Sequence, residues 1–165
     1  MYITKGVTVW LVISSIIVII DAFYVLNRPH TLQGGKYGQY YALYQHYVKY
    51  DSLYVDTKDI FLPIVAYLNL VEVVITVFGL IFTLMSSKTA KFTGAILAIL
   101  ASAFVFWKTV IYIWYDVDFM SEATKTFAPD ALLLYYLPNG FWVFCPIWSI
   151  FSIAGKIGGD IFSRL

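Results

Sequence analysis

Four long apolar runs, Val7 to Leu26, Ile60 to Met85, Phe92 to Tyr115 and Ala131 to Ala154, constrain this chain more than any other feature. A hydrocarbon core about 30 Å thick needs about 20 apolar residues per spanning helix, and each run reaches that length. Backbone groups inside a bilayer must be bonded within a helix or a closed barrel, and the runs lack the period-two alternation of barrel strands. Composition agrees, since 61% of the 165 residues are hydrophobic and only 13% charged, against about a quarter charged in soluble domains. The expected fold is all-α: a polytopic membrane four-helix bundle in a single domain over 1–165, with helices at about 7–26, 60–85, 92–115 and 131–154. The first run is longer than a signal-peptide core and continues into Asp21-Ala22-Phe23-Tyr24 in place of a small-residue cleavage site. It therefore reads as a retained helix.

The connections differ in length. Residues 86–91 form a tight turn, which makes the second and third helices antiparallel neighbours. Residues 116–130 are intermediate, and a short tail follows 154. Residues 27–59 are long and carry the polar, aromatic stretch Leu43-Tyr44-Gln45-His46-Tyr47-Val48-Lys49-Tyr50-Asp51-Ser52-Leu53-Tyr54. A loop so rich in Tyr is too apolar for disorder and is expected to fold back as a cap on the membrane part. Lys5, Lys88, Lys91 and Lys156 flank helix ends on one side, which places both termini in the cytosol. A formal net charge of +1 points to no nucleic-acid partner. The single cysteine, Cys145, sits inside the fourth run as a packed thiol, and no cofactor or metal is expected.

Three ionisable residues, Asp21, Glu72 and Lys108, lie inside apolar runs, where a charge is costly enough to mark a functional site by default. At about 1.5 Å per residue, Asp21 lies about 8 Å and Lys108 about 11 Å from the loop-side ends of their helices, with Glu72, Asn139 and Trp142 about 14 to 18 Å in. Helical spacing adds faces: Asn69, Glu72 and Thr76 follow i, i+3, i+7; Lys108 and Tyr112 are i, i+4; Asp21 with Tyr24 and Asn139 with Trp142 are i, i+3. Four polar stripes turned inward would line a cavity opening toward the long loop, walled by Tyr24, Phe106, Trp107, Tyr112, Phe141 and Trp142. A structural polar core, with the charges neutralising one another, is the alternative.

These stretches resemble a known family. Tyr44 to Tyr54 is similar to the W-x-x-Y-x-x-x-D-x-R-Y segment of emopamil-binding protein, the sterol Δ8-Δ7 isomerase, and of the wider EXPERA family with the sigma-2 receptor. Pro138-Asn139-Gly140-Phe141-Trp142-Val143-Phe144-Cys145-Pro146 resembles its N-x-x-W-x-x-x-P, and Ile20-Asp21-Ala22-Phe23-Tyr24-Val25-Leu26 its I-E-G-W-F-V-L. Glu72 falls where the family's second helix carries Glu, and Thr109-Val110-Ile111-Tyr112 followed by Asp116 resembles D-V-L-Y followed by an acid. Arg28 to Lys36, with Pro138-Asn139-Gly140, is closest to an EXPERA branch other than the isomerase.

The resemblance implies a pocket, in the endoplasmic reticulum or a connected membrane, for a sterol-like or other amphipathic lipid, with Asp21, Tyr24, Glu72, Lys108, Tyr112, Asn139 and Trp142 binding it and Tyr47, Asp51 and Tyr54 capping it. If the protein is enzymatic, Asp21 and Glu72 match the family's proton-moving acids, and the aromatic wall would stabilise a carbocation. The chain departs from the pattern at three points. Ile17 stands where the family has its catalytic His, Leu53 replaces the loop Arg, and Lys108 replaces a small residue. A fixed cation beside the pocket opposes a sterol carbocation, so binding is expected ahead of isomerisation. A third reading, a homodimer or an accessory subunit of a larger membrane assembly, stays open.

Overall fold

The computed structural model describes residues 2–116 and 122–163. Its long helices are α1 (Lys5–Leu26), α3 (Phe61–Leu84), α4 (Lys88–Asp116) and α7 (Leu137–Phe162), joined by the short α2 (Tyr44–Tyr47), α5 (Glu122–Lys125) and α6 (Pro129–Ala131). A π-helical stretch, Leu132–Tyr136, merges α6 into α7. Among the described residues, four segments are long and apolar enough to cross a membrane, the last running from Pro129 to Phe162. Their outward faces carry large apolar side chains such as Val9, Ile13, Val74, Phe78, Phe104 and Phe151, all more than two-fifths exposed. Contiguous apolar surface on that scale needs lipid or a partner to cover it, and the fold is that of an all-helical integral membrane protein.

Polar side chains cap the starts of α1, α3 and α4. Thr4 accepts the Val7 N–H at 3.4 Å at the start of α1. Asp59 accepts from Leu62 N at 2.7 Å and Phe61 N at 3.3 Å at the start of α3, and Ser87 accepts from Ala90 N at 3.4 Å ahead of α4. These side chains satisfy donors that a helix leaves free in its first turn. The Ser87 cap explains why α4 begins at Lys88, ahead of the apolar run expected from Phe92.

The last helix departs most from expectation. Instead of stopping at Ala154 it runs through Gly155, Gly158 and Gly159 to Phe162. Tertiary contacts override the low helix propensity of glycine: Ile157 packs against a cluster of Ile3, Val7, Leu11, Ala95, Ala98 and Ile153, and the Tyr2 hydroxyl donates to Asp160 at 2.8 Å.

Around the bundle, α1 packs on α3, α3 on α4 and α4 on α7, whereas α1 and α7 meet only sparsely. Their contact is concentrated at the end away from the long loop and at mid-height, where Trp10 and Trp142 pack edge to face at 5.5 Å. Gly79 and Gly94 bring α3 and α4 together at that far end; a methyl on Gly94 would stand 2.5 Å from the Gly79 carbonyl oxygen. At the loop end the helices stand apart, and the loop fills the gap from above.

The loop is ordered by its own bonds. Arg28 donates from Nη1 to the carbonyls of Leu53 at 2.7 Å and Asp56 at 2.9 Å, tying its two ends together. Thr31 donates to the Tyr24 carbonyl at 2.7 Å and Tyr41 to the Ile20 carbonyl at 3.2 Å. Tyr24, Tyr41, Tyr44, Tyr47 and Tyr54 form a continuous aromatic cluster, with Tyr24 and Tyr44 stacked at 4.3 Å and Tyr47 edge-on to Tyr54 at 4.9 Å. Ring pairs at these separations add to the area they bury, so the tyrosine-rich loop forms a second small core.

Candidate functional site

Beneath that cluster lies a cavity of about 280 Å³. Asp21 reaches it from α1, Asn69 from α3, Lys108 and Tyr112 from α4, and Asn139 and Trp142 from α7, under a roof of Leu43, Tyr44, Tyr47 and Tyr54. Its volume falls at the small end of the ~300–1,000 Å³ usual for ligand sites. Ile17 and Leu43 line it while being 42% and 83% exposed, so it opens outward beside α1, on the side where α1 and α7 part.

Asp21 is held from the cap. Its Oδ1 accepts hydroxyl hydrogens from Tyr54 at 3.0 Å and Tyr44 at 3.2 Å. Burial first, with the charge of Asp21 second, pushes both tyrosine hydroxyls well above their ordinary value of 10.0, so they stay protonated donors. Two neutral donors on a carboxylate offset part of its desolvation without adding a cation.

Lys108 is committed to α3. Its ammonium donates to Asn69 Oδ1 and to Glu72 Oε2, the latter at 2.5 Å. The pair is nearly dry, with side chains 10% and 6% exposed. Asn69, Glu72 and Thr76 are all buried, as a single helical stripe should be. Glu72 does not line the main cavity. It borders a second chamber of about 20 Å³, room for about one water molecule, below the Lys108 contact and beside Ser14, Ser15, Thr76 and Ser102. The Lys108–Glu72–Asn69 contact is thus the floor of the cavity.

Asn139 is placed by the π-helical stretch. Its Nδ2 donates to the Tyr135 carbonyl at 2.9 Å and lies 3.5 Å from the Tyr47 hydroxyl. The wider π turn admits Tyr135 to the interior, where it is fully buried, and π turns of this kind concentrate at functional sites. Trp142, two residues on from Gly140, carries the wall down to Trp10.

Asp51 sits behind the roof, fully buried. It accepts the Leu53 N–H at 3.1 Å and the Tyr112 hydroxyl, with the Tyr47 hydroxyl also in reach. Burial, and then the nearby Asp116, push its carboxyl up from 3.8. Asp116 in turn accepts the Tyr135 hydroxyl.

Of the residues expected at the site, Asp21, Lys108, Tyr112, Asn139 and Trp142 line the cavity, and Tyr47 and Tyr54 roof it. Tyr24 does not: it is fully buried in the aromatic cluster beneath the loop, beside the cavity and not within it. The i, i+3 rule placed it beside Asp21, but the loop folds down over that flank. Trp107 and Phe141 are 62% and 50% exposed and face outward. Phe106, which packs on Trp107, is likewise absent from the wall. Asn69, expected on the inward stripe of α3, lines the cavity as well. Tyr44 belongs to none of the helical stripes, and its place in the roof carried no signal because it depends on the path of the loop.

Fold and cavity together define a class, a four-helix membrane protein with a partly open polar and aromatic cavity under an ordered loop. Within that class no family model, curated protein or solved structure matches the chain.

Proposed function

We propose that this protein binds a sterol-like or other amphipathic lipid that enters its cavity from the bilayer, as the EXPERA resemblance implies. The observation that carries the reading is the cavity itself: apolar and aromatic over most of its wall, polar at Asp21, Lys108 and Asn139, and open beside α1 through Ile17 and Leu43. A few convergent polar groups in an apolar cleft suit a molecule with a small polar head and a rigid or flexible apolar body. A water-soluble ligand would leave most of the wall without a matching surface.

Binding is preferred over double-bond isomerisation because Lys108 is already seated on Glu72 and Asn69 at the cavity floor. A transient carbocation in the same space would face that ammonium in a low dielectric. The lipid reading in turn gives the roof a role, since Tyr44, Tyr47 and Tyr54 close the cavity against water while the opening at Ile17 meets acyl chains.

Photolabelling in nanodiscs tests this. A photoreactive sterol analogue is expected to label peptides containing Ile17, Leu43 or Trp142, with unlabelled sterol competing. Val65→Trp, which fills the cavity from α3, is expected to abolish that labelling while the protein remains folded. Labelling spread over the outer faces and unchanged in Val65→Trp would sink the reading.

A further inference from the structure

Behind the cavity roof, the loop meets the bundle through two acids. Asp51 of the loop and Asp116 at the end of α4 are both fully buried, and their carboxyl groups lie within hydrogen-bond reach of each other. Donors are unevenly shared between them. Both oxygens of Asp51 accept, from Leu53 N–H and from Tyr112. Asp116 Oδ2 accepts from Tyr135, but Asp116 Oδ1 is buried with no hydrogen-bond partner among the described residues. With both acids ionised, two like charges would touch in a dry setting and one buried oxygen would lack a donor, two faults that buried polar groups avoid. A single proton between the carboxyls removes both faults, because a protonated carboxyl donates and cancels one charge.

We propose that Asp51 and Asp116 hold one proton between them and that this shared proton latches the loop onto the bundle, so that its loss lifts the cavity roof.

Titratable groups face the pair from several elements. From the loop come Tyr47 and Tyr54, with Asp21 of α1 beyond them. From α4 come Tyr112 and, one turn earlier, Lys108, which is bound to Glu72 and Asn69. From the last helix come Tyr135 and Tyr136. Beside them α5 contributes Thr124, whose hydroxyl donates to the Tyr50 carbonyl at 2.9 Å, and the exposed Lys125. The tyrosines of the loop, raised further by burial, do not titrate near neutrality. Because Asp51 lies between Tyr47 and Tyr54, both of which line the cavity, repulsion at the pair acts directly on the roof.

The latch holds whether or not the cavity takes a lipid, so its test uses the ligand-free full chain in nanodiscs. Amide hydrogen exchange over residues 44–56, corrected for intrinsic rates, is followed from about pH 5 to about pH 9, a range that brackets a carboxyl raised by burial. The loop is expected to be protected at the acid end and to show an open population rising about tenfold per pH unit once the shared proton is lost. Amides inside α3 serve as the reference and are expected not to respond. In Asp116→Asn the side-chain amide becomes a permanent donor to Asp51, and the loop is expected to stay protected throughout. A flat wild-type profile overturns the proposal, as does an Asp116→Asn protein that keeps the wild-type transition. Should that variant fail to fold, infrared spectra of the wild type decide. Loss of a protonated-carboxyl band in step with loop exchange supports the latch, and exchange that changes without it refutes the latch.

Discussion

At the capped end the long helices stand apart around Asp21, Lys108 and Asn139, and tyrosine hydroxyls fill the space between them. At the opposite end Gly79 and Gly94 let α3 and α4 touch backbone to backbone, while Ala95, Ala98, Val7 and Ile153 close the remaining gap. Helices in lipid gain little from apolar contact with each other, so close approach at small residues is what holds the far end together. That rigid end permits the other to stay open. A bundle splayed at both ends would have no fixed geometry at the cavity, and one packed tightly at both would have no cavity.

The contrast is broken most sharply at its boundary, the buried Lys108–Glu72 contact. Lys108→Met leaves Glu72 buried without its cation and is expected to destabilise the fold by about 3–5 kcal/mol, read as a lowered unfolding midpoint in detergent. The double variant Lys108→Met with Glu72→Met is expected to recover most of that loss, because removing both charges also removes the desolvation penalty. A double variant as unstable as the single one would show that the contact does more than neutralise charge.

Next in size is the closed end. Gly94→Val forces α3 and α4 apart where a Cβ already lies 2.5 Å from the Gly79 oxygen, and is expected to cost about 3 kcal/mol, at the upper end of overpacking effects. Because the two ends share the same helices, this variant is also expected to weaken lipid labelling of the cavity. Labelling that survives a large loss of stability would show that the ends are independent.

A pH effect separates the ends more gently. The Asp51 carboxyl is raised from 3.8 to about 7, so the folded state holds its proton more tightly than the unfolded chain does. The stability this contributes is full below about pH 4, diminishes as pH rises, and is lost once the pH has risen through about 7, so the unfolding midpoint is expected to fall across that window. Thermal unfolding scans across that window check it, and a midpoint that rises with pH would contradict the direction. The smallest expected effect lies on the exposed tail of α7. Gly158→Ala meets no atom within 4 Å and is expected to stabilise by about 0.5–1 kcal/mol through helix propensity alone.

Much of this organisation was legible before any coordinates. Asn69, Glu72 and Thr76 at helical spacing identified the inward stripe of α3, because a charge inside a span has nowhere else to turn. Lys108 followed by the same reasoning on α4, since antiparallel neighbours bring equal depths together. Aromatic residues were less readable. Trp107 and Phe141 carry no polar group that must be hidden, so either face of a membrane helix suits them, and they turned to the outside. Tyr24 is adjacent to Asp21 by helical spacing, yet the loop covers it.

Length, apolarity and the helical period determined four spanning helices, their antiparallel order and the depth of each buried charge, because these follow from bilayer thickness and backbone hydrogen bonding. Tertiary structure alone decided that Tyr44 and Tyr54 reach Asp21, that Asp51 meets Asp116, and that α7 continues through its glycines to Phe162. Each of these depends on the path of a loop or on a contact between residues far apart in the chain. Local periodicity has no access to either, since no single helix contains both partners.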